Sequence, residues 1–494
     1  MRIVASSESG EGARLDVLVH AAAQLTDSAQ LELPTASRSR LLQLAIAYGI
    51  ANRITFEGSS GGGGDRIAVR LDENAAVAHE PALNWRVEGT AGPPRHPVGT
   101  LGELVFALQP RMQGGQGGFE PQVSAQPLAG HRIGVMTNVL THYRVPLWNA
   151  MSARLDEVGA KLCVFPTVAD TPGTRPWLRH EAVSFDHRPL APGPLGLGSA
   201  APRDLERTLR DFRPTMLLSP GFSPGVTGRT LRFARRRGIP FVLWSGDTHR
   251  QPRAKSRARR LERRWIANRS TCAIAYGWLA AEYLRELAPD LPVVIGRNSA
   301  PYLPEPAPGS DGGSVQFLTV GRATPLKRLD VIIDAFRLLG DHLPCRLTLV
   351  GGGPELDALV ARARGDPRIR FLGAVESDRV LHCYRDADAF LFPSSRADIF
   401  GLVLVEALGS GLATITAAAP GGTADLALHE RNCLVVDRHD PPAWAEAIRR
   451  LVEDAPLRRR LAAAGRETVL GRWTIEHSVD AWIAGFRLAL LSAR

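Results

Sequence analysis

The strongest constraint on the fold of this chain is an alternation of short apolar runs with helix-like stretches, which occurs once on each side of a Pro/Gly-rich break. Before the break the runs are RIGVM at 132–136, KLCVF at 161–165, TMLLS at 215–219 and FVLWS at 241–245. Helical stretches through Leu155 and over 231–237 lie between them. After the break, APYLPEPAPG at 300–309, the runs are QFLTV at 316–320, RLTLV at 346–350, IRFL at 369–372, AFLF at 389–392 and ATIT at 413–416. Helices over 329–339 and 441–453 separate some of these. Short apolar runs divided by helices read as the buried strands of parallel βαβ units. The predicted class is therefore α/β, with two doubly wound parallel-sheet domains facing each other across a hinge. Ligands in such sheets bind at the carboxyl ends of the strands. A length of 494 residues accommodates this and leaves an amino-terminal extension over 1–130.

That extension differs from the rest. It carries the flexible tracts GSSGGGG at 58–64 and GGQGG at 114–118, yet it echoes the later domain. RLDVLVHA at 14–21 matches RLDVIIDA at 328–335, and NRITFEG at 52–58 matches PRIRFLG at 367–373. Where the later copy has GGGP at 351–354 the early one has PTAS at 34–37, so a tight backbone turn is lost. Residues 1–58 read as a degenerate βαβα segment without a ligand site, or as a chance similarity.

No apolar run reaches the roughly 18 residues that a spanning helix needs, and the first residues, MRIVASSESGEG, lack the apolar centre of a secretory leader. Five cysteines (Cys163, Cys272, Cys345, Cys383, Cys433) are scattered and never spaced CxxC, which argues against a disulfide framework or zinc site. A soluble, cytoplasmic chain is expected. Net charge is +10, carried by arginine: only Lys161, Lys255 and Lys327 are lysine. Residues 250–269 hold nine Arg or Lys against Glu262 alone. With Trp265 as the one interleaved aromatic and no recognition motif, no nucleic-acid partner is expected. Two readings stay open for Arg250 to Arg269: a solvated helix face, or peripheral contact of an arginine-rich amphipathic helix with an anionic membrane.

Several chemistries fail on their motifs. A phosphate-binding P-loop needs Gly-Lys-Ser/Thr, and the three lysines follow Ala160, Ala254 and Leu326. HERNC at 429–433 lacks the second histidine of HExxH. GFSPG at 221–225 spells GxSxG, but the oxyanion donor would be the N–H of residue 224, a proline without one. A dehydrogenase reading lacks GxGxxG with an acid about 20 residues on.

Three segments survive. GRATPLK at 321–327 follows a strand and places Arg322 and Lys327 where two cations could clamp a diphosphate. PSSRADIFGLVLVEALGSG at 393–411 sets Asp398 and Glu406 apart by seven residues. A helix begins at Gly401, whose free N–H and that of Leu402 form an anion site. Glu406 falls on an otherwise apolar helix and must be paired or hydrogen-bonded there. PGGTAD at 420–425 is a further glycine turn opening a helix.

Residues 131–494 resemble a family 4 retaining glycosyltransferase of the two-domain GT-B fold. The resemblance rests on VGRATPLKRLDVIIDAF, LVGGGPELDAL, FLGAVESDRVLHCYRDADAFLFPSS and DIFGLVLVE in order. The amino-terminal stretches MTNVLTHYRVPLWNAM, GIPFVLWSGDTHR and IANRSTCAIAYG are similar to a subgroup that builds bacterial surface polysaccharides or decorates secondary metabolites. The resemblance implies an acceptor-side domain over 131–300, a donor-side domain over 301–473 and a closing helix over 474–494 that crosses back. It implies a UDP- or GDP-linked sugar as substrate and a hydroxyl acceptor, with no cofactor and no metal. Arg322 and Lys327 would hold the diphosphate, Glu406 the ribose, and Asp398 would stand beside the transferred sugar. Gly321, Gly352, Val375, Phe400, Gly401, Leu402, Gly421 and Gly422 would complete the donor site. Two acids depart from the family pattern, Asp398 and Asp425 standing where glutamate is usual. Gly246 occupies the position of a common histidine, with Asp247 and His249 following; His249 is the candidate replacement. A non-catalytic scaffold of a glycan-assembly complex is the alternative.

Overall fold

The computed structural model describes residues 128–494 apart from 168–181, 192–200, 224, 252–255, 306–312, 341, 437–438 and 493–494, and before residue 128 the backbone of five strands. Those strands, β1 (Arg2–Val4), β2 (Ala29–Pro34), β3 (Ile54–Gly58), β4 (Arg66–Leu71) and β5 (Arg86–Glu88), form one sheet in the order β3-β4-β2-β1-β5. Only β1 and β2 are parallel; β4 runs antiparallel to β2 and β3, and β5 to β1. Within residues 1–58, β1 and β2 pair parallel, and the antiparallel pairs bring in β4 and β5 from beyond that stretch. A short connection such as that from Gly58 to Arg66 joins antiparallel neighbours, whereas a parallel pair needs a long crossover. The echo over 14–21 lies outside the described residues.

The next seven strands are β6 (Arg132–Thr137), β7 (Lys161–Pro166), β8 (Asp186–His187), β9 (Met216–Pro220), β10 (Phe241–Ser245), β11 (Cys272–Ala275) and β12 (Val293–Ile295). They form a sheet in the order β12-β11-β10-β9-β6-β7-β8, every pair parallel. Because successive side chains point to opposite faces, the apolar runs split between two cores. Met136, Leu217 and Leu243 enter one; Val135, Leu218, Val242 and Trp244 enter the other. Burial on both faces is what makes these strands read as continuous apolar runs.

The second sheet repeats this with β13 (Val315–Val320), β14 (Cys345–Val350), β15 (Ile369–Gly373), β16 (Ala389–Phe392), β17 (Ala413–Ala417) and β18 (Leu434–Val436), in the order β15-β14-β13-β16-β17-β18 and again all parallel. Strand order reverses between β13 and β16, which opens a crevice at their carboxyl ends. Among the helices that matter here are α1 (Val145–Glu157), α2 (Pro202–Phe212), α3 (Thr227–Arg236), α4 (Arg257–Ala267), α5 (Trp278–Leu287), α6 (Leu329–Leu338), α7 (Leu356–Ala363), α8 (Ser377–Arg385), α9 (Leu402–Gly409) and α10 (Gly421–Leu426). They are followed by α11 (Pro441–Glu453), α12 (Ala455–Arg472) and α13 (Ile475–Ser492). Sequence-coded starts are plain in α11 and α12. Asp440 accepts from Ala443 N–H and Asp454 from Leu457 N–H, each with proline in the first turn.

The last helix leaves the second domain and packs on the first sheet. Val479, Trp482, Ile483 and Phe486 join the core that holds Trp148 of α1 and Trp244 of β10. Trp482 meets those two rings edge-on at 5.1 and 5.0 Å, and its indole N–H donates to Gly296 O at 3.0 Å. Ser478 Oγ donates to Arg297 O at 2.6 Å. Among the described residues no helix is long and apolar enough to cross a membrane.

Candidate active site

The crevice of the second sheet is built by two loops. After β13 the chain runs through Gly321 and Arg322 into a single 3-10 turn, Pro325–Lys327; after β16 it runs from Pro393 to Gly401. Ser395 N–H donates to Leu326 O at 2.8 Å and ties the two together. Lys327 lays its carbon stem along Gly321 and over the Phe392 ring, with Nζ 5.5 Å from the ring centroid. Its ammonium donates to Asp398 Oδ2 at 2.7 Å, and both side chains are largely buried, at 18 % and 10 % exposure. Arg322 stands exposed one residue beyond Gly321. The structure thus brings Lys327 and Asp398 together and leaves Arg322 on the rim.

Glu406 lies one turn into α9, close enough for the Lys327 charge to act on it. The Tyr384 hydroxyl, fully buried, donates to Glu406 Oε2 at 2.8 Å. Burial raises the Glu406 pKa, opposed by the Tyr384 hydrogen bond and by Lys327. The sequence marked Glu406 as an acid in need of a partner. Tyr384 was missed, although a tyrosine one helix earlier was the available signal.

Glycines shape the floor. Gly401 has φ +79°, and a Cβ there would sit 2.1 Å from Phe392 Cζ, so the entry into α9 is closed to other residues. Gly351 has φ +136°, and its Cβ would fall 2.0 Å from Gly321 O. Ala323 N–H donates to Gly352 O at 2.9 Å. Val375 is half-buried against the neighbouring core. Gly421 N–H donates to Asp398 O at 3.1 Å and Gly422 N–H to Phe400 O at 2.8 Å, which sets α10 beside α9. Phe400 turns its ring inward onto Trp473, 5.6 Å away, so only its backbone borders the crevice. No side chain caps the start of α9, where Gly401 and Leu402 stand at the tip and Leu404 N–H closes the first turn on Gly401 O at 2.9 Å.

The carboxyl ends of the first sheet face this crevice. Arg250 Nη1 donates to Ala419 O at 2.7 Å, and Trp278 N–H to Asp425 Oδ1 at 2.8 Å. A Cβ on Gly246 would come within 2.6 Å of Tyr276 and 2.8 Å of Ile399, so a histidine fits there only if both move. Asp247 is bound by Arg263 at 2.9 Å, and His249 is exposed on this rim. Sequence reasoning missed Arg144. It is 5 % exposed, stacked 4.6 Å from the Trp244 ring and 5.0 Å from Tyr276, and it donates to Asn298 Oδ1 at 2.9 Å. Its partner lies 154 residues away in sequence.

Burial pushes the Asp425 carboxyl from 3.8 up to about 7, against the opposing Trp278 hydrogen bond. Between those values the folded chain holds a proton that the unfolded chain has released. The contribution of Asp425 to stability therefore worsens as pH rises through this window and is constant above it. Melting curves of the wild type and Asp425→Asn at pH 5 and 8 check this. The variant should gain on the wild type at the higher pH, and parallel curves would refute the sign.

Two family models match the chain: "Glycosyl transferase 4-like domain" over residues 146–298 and "Glycosyl transferases group 1" over 305–468. Similar curated proteins include the D-inositol 3-phosphate glycosyltransferase of Xylanimonas cellulosilytica, 37 % identical over 159 residues, covering 30 % of this chain and 37 % of that one. The protein of the same name from Mycolicibacterium vanbaalenii is 32 % identical over 204 residues, 38 % and 43 % of the two chains. The matched part thus spans about two fifths of the length of these relatives. Among solved structures, sucrose-phosphate synthase from Thermosynechococcus elongatus superposes with TM-score 0.60 at 18 % identity, over 74 % of this chain and all of that one. Anabaena HepE in complex with UDP-glucose gives TM-score 0.57 at 16 % identity, over 72 % and 99 %. These neighbours share the two-sheet GT-B fold. Taken together, the two family models cover both facing domains, and the chain belongs to the group 1 glycosyltransferases with a glycosyl transferase 4-like first domain.

Proposed function

We propose that this chain moves a sugar from a nucleoside diphosphate sugar to an acceptor hydroxyl, with retention at the anomeric carbon and without a metal ion. The observation that carries the reading is the Lys327–Asp398 pair beside the uncapped start of α9, at the point where strand order reverses. As the bond from the anomeric carbon to the phosphate oxygen breaks, negative charge grows on the leaving diphosphate. Lys327, with Arg322 from the rim and the N–H groups of Gly401 and Leu402, offsets it. Lys327 exchanges Asp398 for phosphate in that step, and Asp398 turns to the hydroxyls of the transferred sugar. The acceptor oxygen bonds to the anomeric carbon on the same face, and its proton passes to the departing phosphate. Glu406, held by Tyr384, accepts from the ribose hydroxyls. His249 and the buried Arg144 face the acceptor side. A structural neighbour solved with UDP-glucose supports a nucleotide sugar as the donor class.

Glu406→Gln tests the ribose role. Gln keeps an acceptor for Tyr384 but removes the charge, so KM for the donor should rise about tenfold or more, from a charge-assisted hydrogen bond worth about 1.5–3 kcal/mol, with kcat changed far less. Equal donor KM in variant and wild type would remove Glu406 from the site. Transfer should also survive EDTA; its loss, restored by magnesium, would overturn the metal-free reading.

A further inference from the structure

We infer that the exposed face of α4 docks on an anionic phospholipid surface. Arg257, Arg260, Leu261 and Arg264 are spaced i, i+3, i+4, i+7 and share one stripe of the helix. The opposite face fixes its orientation: Arg263 is buried against Phe222 and Tyr283 and bound to Asp247, and Ile266 enters the core. Leu261, in the middle of the stripe, is 69 % exposed, more than any other large apolar side chain among the described residues. Glu262 and Glu286 are already used, by Arg259 and Arg260 respectively. Arg257 and Arg264 have no acid partner among the described residues. Exposed arginines of the neighbouring α3, Arg232 among them, extend the patch.

Such a surface offers guanidinium groups to headgroup phosphates and one aliphatic side chain to the acyl boundary. The same face fits a nucleic acid poorly. Its one aromatic, Trp265, carries Arg232 at 5.9 Å and Arg269 at 5.0 Å from its ring centroid. The ring is thereby occupied by cations rather than free to stack on bases. Arg250, on the loop that leads into α4, reaches across to Ala419, so this face adjoins the rim of the crevice. The inference rests on the surface alone and stands or falls apart from the transfer reaction.

Co-sedimentation of the full chain with vesicles of phosphatidylcholine, with and without phosphatidylglycerol, tests it. The wild type should sediment only with the anionic vesicles, and less so as salt rises. The double variant Arg257→Ser/Arg264→Ser should lose about 25-fold in partitioning, from about fivefold per arginine near such a surface. Leu261→Ser should lose several-fold at low and high salt alike. All three positions are exposed, so melting temperature and nucleotide-sugar binding should match the wild type and show the variants folded. Wild-type protein that ignores anionic vesicles, a double variant that sediments like the wild type, or capture by polyuridylate with no vesicle binding would each overturn the assignment.

Discussion

Lys327→Ala is expected to lower sugar transfer by about 10²–10³-fold, the usual cost of removing one preorganised donor at a site of developing negative charge. The 3-10 turn Pro325–Lys327 holds the ammonium over Phe392 and beside α9, where water is largely displaced and each charge counts for more. Arginine cannot simply replace it, because the pocket between Gly321 and Asp398 admits a slender stem and a compact head. The loss should therefore appear with Lys327→Arg as well, if less steeply. Alanine also leaves the largely buried Asp398 carboxylate without its cation, so a modest stability loss of about 1–3 kcal/mol accompanies the change. The double variant Lys327→Met/Asp398→Asn separates the two effects: it should recover stability without recovering transfer. If activity returned with stability, Lys327 would be a folding residue.

Trp482→Ala should have the largest effect on stability, about 3–5 kcal/mol by analogy with other buried aromatic truncations. Trp482 is 2 % exposed, contacts Trp148 and Trp244 edge-on, and satisfies the Gly296 carbonyl, so its removal leaves both a cavity and an unpaired acceptor. The cost falls on the joint between the domains, because α13 belongs in sequence to the second and in space to the first. A two-domain chain need not unfold in one step. Calorimetry should show the transition of the first domain moving down while that of the second, whose core is separate, moves little. Leu490→Ala, at a half-buried position near the helix end, should cost far less. Equal shifts for the two variants would mean that α13 holds no special joint.

The sheets were legible where strands are buried on both faces. FVLWS at 241–245 and AFLF at 389–392 coincide with β10 and β16, since nothing but a central parallel strand needs so short and so apolar a run. β11 and β12 were not read: CAIA and VVI are too short for a pattern and are defined by pairing with neighbours far along the chain. The repeated motif at 52–58 shows the limit in another way. Its later copy, β15, pairs parallel to β14, while β3 pairs antiparallel to β4, so near-identical residues took different neighbours.

At the site, Lys327 stood out because lysine is rare here, and Glu406 because an acid on an apolar helix requires a partner. Arg144 and Asn298 gave no such signal, and Tyr384 only that of a tyrosine one helix before the acid. Their importance lies in contacts made only once the two sheets are assembled. The close approach of Ile399 to Gly246 likewise explains the glycine only after the domains face each other.

The crystal structure of the full chain with a bound nucleoside diphosphate, UDP or GDP, tests the central claim most directly. Lys327 Nζ should leave Asp398 and lie at hydrogen-bond distance, about 2.7–2.9 Å, from a terminal phosphate oxygen. The N–H groups of Gly401 and Leu402 should point at the same phosphate, and the ribose should rest on Glu406. A diphosphate bound elsewhere, with Lys327 still on Asp398, would contradict the account.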